Sequence, residues 1–215
     1  MENIKFENKN ICKECGGKCC IKCGCDYSTD NFSDINLKAL EEILKEGKIS
    51  IVSALNIKES SNGKKYILPF LYLRARNKNR EVVDLLSLKT TCSLLTSEGC
   101  PYPLNKRPKG GVNLIPSTEI CTPYESPFEI VKGWEKYQNT LSKMVKRLTG
   151  KTVNQKLEED VENLFYDVMA QNFEYVTKAE RKEIYPLLRA LLEIYPERCK
   201  KGIERAEKQT LILKK

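Results

Sequence analysis

Cys12-Lys-Glu-Cys15-Gly-Gly-Lys-Cys19-Cys20-Ile-Lys-Cys23-Gly-Cys25 places six cysteines within one short stretch near the start of this chain. Cys92, Cys100 and Cys121 follow, so nine of the ten cysteines precede residue 122. Thiolates are soft ligands for zinc and iron, and short spacings let one segment supply several to a single ion. The chain contains no histidine. It therefore lacks the usual neutral metal ligand and the usual proton shuttle. A metal here must be held mainly by sulfur, and a histidine base is excluded.

Other uses of cysteine compete with this reading. Disulfide frameworks belong mainly to small secreted domains. The chain begins Met1-Glu-Asn-Ile-Lys-Phe-Glu, with no apolar signal region. It also has no run of the roughly 20 apolar residues that span a membrane. The expectation is a cytoplasmic protein with reduced thiols and no membrane partner. Cys12 and Cys15 have redox-dithiol spacing, but such motifs stand alone at a helix start. Cys199 sits by itself in a helical stretch and reads as a buried small hydrophobe.

The formal charge of +8 raises the question of nucleic acid. Lys and Arg outnumber acids 19 to 14 through residue 123 and 18 to 15 afterwards, so neither half carries a concentrated excess. Each zinc held by four thiolates adds a net negative charge, and two such sites bring the protein near +4. No long basic run occurs. Nucleic acid is not expected as a partner; a protein is.

Downstream of the first cysteine run, Ser33 is expected to cap a helix carrying Leu37, Leu40, Ile43 and Leu44, with Gly47 as its stop. Ile49 to Ile57, Lys65 to Ala75 and Glu81 to Leu86 have strand character, separated by Ser61-Asn62-Gly63 and Asn77-Lys78-Asn79. They predict a three-stranded antiparallel meander. Residues 89–124 are irregular and carry the second set of cysteines. A loop of that length in a compact domain needs something to order it, and bound metal would do so. The two cysteine segments are expected to lie against each other.

After Pro123 the pattern turns helical. Ser126-Pro-Phe-Glu129 predicts a capping box. A single apolar stripe from Ile130 through Trp134 and Leu141 to Leu148 ends at Gly150. Thr152-Val-Asn-Gln155 caps a second helix and Thr177-Lys-Ala-Glu180 a third, in which Pro186 should cause a kink or a break. Pro196 opens a fourth. The fold class is α+β. Residues 1–123 form a cysteine-cluster metal-binding region with a meander, and residues 124–215 form a helical region packed on it.

Cys12-x2-Cys15-x3-Cys19-Cys20, with Gly99-Cys100-Pro-Tyr102 and Arg107-Pro108, resembles the CxxCxxCC family of zinc- or iron-chelating proteins. The same cluster occurs in the flagellin lysine N-methylases. The resemblance covers residues 12–121 and implies metal binding. One extra residue precedes the double cysteine, another separates Cys100 from Arg107, and the cysteine after Arg-Pro is replaced by Lys109-Gly110-Gly111. Cys121 takes that role in this reading, with Cys23 or Cys25 completing a second set. The candidate ligands are Cys12, Cys15, Cys19, Cys20, Cys23, Cys25, Cys92, Cys100 and Cys121, and the cofactor is zinc ahead of an iron–sulfur cluster. Three function classes follow. The first is a metal-stabilised protein whose helical face binds a partner. The second is an S-adenosylmethionine-dependent lysine N-methyltransferase-like enzyme, although no glycine-rich nucleotide loop follows a strand. The third is a metal chaperone or sensor.

Overall fold

The computed structural model describes residues 26–78, 80–86, 92–97, 100–117, 121–170 and 178–213, together with Asn8, Asn10, Ile11 and Glu14. Helix α1 spans Leu37–Lys45. Its cap is Asn36 rather than the expected Ser33: Asn36 Oδ1 accepts the Lys38 and Ala39 amides, each at 3.0 Å. Gly47 then takes φ +69, a left-handed conformation that glycine adopts without strain.

Strands β1 (Ile49–Glu59) and β2 (Lys65–Ala75) form an antiparallel hairpin over their full length. Ile51, Leu71 and Leu73 share the face that meets the helices and are buried. The expected third strand of a meander is not formed. Residues 81–85 instead run parallel to β1 on its outer edge, through one bridge between Ile51 and Val83. The Ile51 amide donates to Val82 O at 2.8 Å, and the Asp84 amide to Ile51 O at 3.0 Å. The reason lies on the other side of the hairpin, because β2's edge is already taken. Tyr27 N donates to Leu73 O and the side chain of Gln138 covers Leu71, while Ser93 N donates to Arg76 O just past the strand. The outward position of Leu71 and Leu73 also places Pro69 outward, where its missing N–H breaks no ladder bond.

A short helix α2 (Lys109–Val112) leads into β3 (Leu114–Ile115), which pairs with β4 (Thr122–Pro123). Asn113 clasps the exit of this small hairpin, donating to Glu125 O and accepting the Glu125 amide. Helix α3 (Pro127–Val131) is capped by Ser126, whose Oγ accepts the Phe128 amide.

The stripe from Ile130 to Leu148 is not one helix. A 3₁₀ segment at Lys132–Tyr137 separates α3 from α4 (Gln138–Thr149). The tighter winding serves a close approach: a Cβ on Gly133 would lie 2.5 Å from Thr29 Oγ1. It also aims the fully buried Trp134, whose Nε1 donates to Tyr27 O at 2.7 Å.

Thr152 and Gln155 form the expected capping box at the start of α5 (Val153–Met169). Helix α6 (Lys178–Ile194) runs on through Pro186 and is not broken there, with Leu188 and Leu191 buried just beyond it. The residues expected to cap it before Lys178 lie outside the described residues. Helix α7 (Pro196–Leu213) opens at Pro196. It meets α5 at Gly202, where a Cβ would stand 2.3 Å from Glu162 O, so only glycine permits this backbone contact. One apolar core runs from Tyr27 through the hairpin to Trp134, Leu157 and Cys199, joining helices and sheet. No helix among the described residues is long and apolar enough to cross a membrane.

Candidate metal centre

Cys12, Cys15, Cys19, Cys20, Cys23 and Cys25 lie outside the described residues. Their anchor point does not. Asp26 follows Cys25 directly, and Asp26 bridges to Arg74 on the outer edge of β2. Cys92 bridges to Asn77 just beyond the end of the same strand. At roughly 3.3 Å per residue, the two anchor points are about 10 Å apart along one backbone. Asp26, the residue after Cys25, is therefore bridged three residues before the partner of Cys92 along the same stretch of chain.

The 100–110 loop is bonded to Asp26 and Asn31. Gly110 N donates to Asp26 O at 2.9 Å, and a Cβ on Gly110 would lie 3.0 Å from Asp26 N and 3.1 Å from its O. Asn31 Nδ2 donates to Arg107 O, and Asn31 Oδ1 accepts the Lys109 amide. Arg107 Nε in turn closes the loop on Tyr102 O at 2.7 Å. Residues 107–110 thus clasp residues 26–31. Cys92 is buried, whereas Cys100 and Cys121 are half-buried, Cys121 at the entry of β4. Among the described residues, no three Cys, Asp or Glu side chains are grouped to hold an ion.

The electrostatics of this corner are set by burial. Asp26 Oδ1 stands 3.5 Å from Arg74 Nε. Burial raises the Asp26 carboxyl above its usual range, and the Arg74 charge opposes that rise. Burial, reinforced by Asp26, pushes the Tyr72 hydroxyl far up, so it stays neutral. Sequence reading missed Asp26, Asn31 and Arg74. The available signal was Arg74 itself, a charge at the end of the apolar run from Tyr66 to Leu73.

A second polar cluster faces the opposite edge of the hairpin. Lys156, only 3% exposed in its side chain, contacts Asp160 Oδ1 at 2.6 Å and Glu81 Oε2 at 2.8 Å. Asp160 Oδ2 accepts the Leu85 amide at 2.9 Å. Arg80 bridges Asp84 and Asp167. Arg80 and the carboxylates of Glu81, Asp84, Asp160 and Asp167 border an open cleft of about 250 Å³. Its charges are paired with one another, so the cluster fastens residues 80–85 to α5 rather than presenting a reactive group.

Cys199 lies in the core with its Sγ 3.5 Å from Leu191 O, and burial pushes its thiol up to about 11. No family model, curated protein or solved structure matches the chain.

Proposed function

We propose that this is a cysteine-cluster metal protein in which zinc, or alternatively an iron–sulfur cluster, holds the irregular segments of the N-terminal half together. The observation that carries the reading is the convergence of both cysteine-bearing segments on β2 and the residues that follow it. Asp26, the residue after Cys25, is bridged to Arg74 of β2 and Cys92 to Asn77 just past the strand's end, and the loop of Cys100 is hydrogen-bonded to Asp26 through Gly110. The donor set fits such a group, with nine candidate thiolates and no histidine.

Cys12, Cys15, Cys19, Cys20, Cys23 and Cys25 would supply ligands from one side. Cys92, Cys100 and Cys121 would supply them from the other. An all-thiolate zinc site is closed to water and acts by cross-linking chain segments. The chain's own part is to fix those segments, through the Asp26–Arg74 bridge, the Asn31 clasp and the Trp134–Tyr27 bond. Exposed Leu148, Met169, Tyr185 and Leu192 on the helices offer apolar contacts for a protein partner.

The test is an anaerobic preparation with elemental analysis, acid-labile sulfide assay and a visible spectrum. The reading expects zinc in whole-number stoichiometry without colour, or iron with matching sulfide. Protein that carries neither under anaerobic expression with both metals supplied would refute it.

A further inference from the structure

We propose that the outward face of α4 binds the phosphate backbone of duplex nucleic acid. From Lys136 to Leu157 the chain carries six cations and no carboxylate, a concentration that the even balance between its two halves conceals. Folding occupies three of the six. Lys156 is buried against Asp160, Lys151 holds Glu159, and Arg147 reaches Glu41 on α1. The acids that follow are engaged as well: Glu158 and Glu162 pair with Arg198 and Arg205 of α7, and Asp167 with Arg80. Lys136, Lys143 and Lys146 are exposed, and among the described residues no carboxylate pairs with them. They form one row. Helix α4 buries Leu141, Met144 and Val145, and at 3.6 residues per turn Asn139, Lys143 and Lys146 fall on the opposite side. Lys136, three residues before Asn139, extends the row to roughly 16 Å, about five phosphate spacings of one strand. The helix dipole favours cations in the last turn, which accounts for Lys146 but not for Lys136 or Lys143. Elsewhere a carboxylate stands one turn away, as Glu41 does from Lys45, Glu129 from Lys132 and Glu204 from Lys200.

The composition of the row selects the partner. Protein interfaces are depleted in lysine and built on aromatic or apolar anchors, and the row contains none. A membrane surface requires an apolar face beside the charges, but the apolar face of α4 is the one turned into the core. Single strands are held by bases stacking on aromatic rings. Tyr137, next to Lys136 in the chain, is half-buried, and its ring packs against Trp134 with centroids 6.0 Å apart. What the row offers is lysine ammonium groups and the uncharged amide of Asn139, both suited to phosphate and sugar oxygens. Contacts of this kind read no base sequence, so the binding is sequence-independent and weakened by salt.

Fluorescence anisotropy of a short labelled DNA duplex of random sequence, titrated with the full-length protein prepared anaerobically, tests the proposal. Three phosphate contacts predict that affinity falls about 40-fold between ~50 and ~200 mM salt. The triple variant Lys136→Ala, Lys143→Ala, Lys146→Ala keeps helix-forming residues at all three positions. It should retain the far-UV spectrum and bind at least about tenfold more weakly at the lower salt. Lys143→Glu alone should weaken binding in the same direction. A control that removes equal charge elsewhere, Lys45→Ala with Lys200→Ala and Lys208→Ala, should bind as the wild type does. Absence of duplex binding at the lower salt overturns the proposal. So does a control variant that loses as much affinity as the row variant, because net charge alone would then explain the binding. Tighter binding of the corresponding single strand, of anionic phospholipid vesicles or of polyglutamate would replace duplex nucleic acid with that partner.

Discussion

The side-chain amide of Gln138 takes the place of a neighbouring strand for Leu71: its Nε2 donates to Leu71 O at 2.7 Å and its Oε1 accepts the Leu71 amide at 2.9 Å. A residue at the start of α4 thereby satisfies both outward groups of a buried strand position. It joins the helical half to the sheet and closes β2 to further pairing. Gln138→Leu would leave that donor and acceptor unpaired, at a cost of about 1–3 kcal/mol. Chemical denaturation should report a loss in this range. Gln138→Glu, which lacks the amide donor, should be destabilised as well.

Gly110→Ala tests the clasp around Asp26. The added methyl would press on backbone rather than on a movable side chain. The expected outcome is faster proteolysis within residues 100–117 and reduced metal content, while the helical core keeps its far-UV signal. Full metal retention with unchanged proteolysis would show that this contact does not order the loop.

Asp160 makes stability depend on pH. Its carboxyl is raised from 3.8 to about 6, chiefly by burial, with Lys156 and the Leu85 amide opposing the rise and Asp84 adding to it. Arg80 and Glu81 lie on the segment packed against it. A raised acid binds its proton more tightly in the folded state. Its contribution is therefore complete below the unfolded value and is lost as pH climbs through about 6. The difference is on the order of 1–3 kcal/mol. Asp160→Asn should remove this slope. Comparing the variant with the wild type across pH 4–7.5 isolates it from any effect of acid on thiolate ligands. Parallel pH profiles for the two proteins would contradict the assignment.

Cys12→Ser and Cys15→Ser should each lower metal content, because a hydroxyl is neither soft nor readily ionised. Cys199→Ala should keep the metal in full and cost about 1 kcal/mol from the lost sulfur packing. Metal loss in Cys199→Ala would overturn the division of cysteines drawn here.

Much of this architecture could be read before the structure. Thr152 with Gln155, Pro196, Gly47, Gly150 and the two long strands acted through local chemistry, and local chemistry is written in short windows. The departures have tertiary causes. Glu81 to Leu86 has strand composition, but which edge it joins depended on Tyr27 and Gln138 occupying β2. The stripe through Trp134 has helical spacing, yet contact between Gly133 and Thr29 tightened it into a 3₁₀ segment. Ser33 lost the cap to Asn36 because either residue suits that position, and geometry chose. Asp26, Asn31 and Gly110 were illegible for the same reason: their roles are contacts across 76 or more residues of chain.

Hydrogen exchange on the anaerobic protein, with metal bound and after chelation, tests the central claim most directly. The amides of Tyr27, Ser93 and Gly110 hold the cysteine-bearing segments to β2, to the residue that follows it and to each other, through bonds to Leu73, Arg76 and Asp26. Metal-organised segments predict that these three lose protection when the metal is stripped, while the β1–β2 ladder and helices α4, α5 and α7 keep theirs. Equal protection of all three amides with and without metal would contradict it.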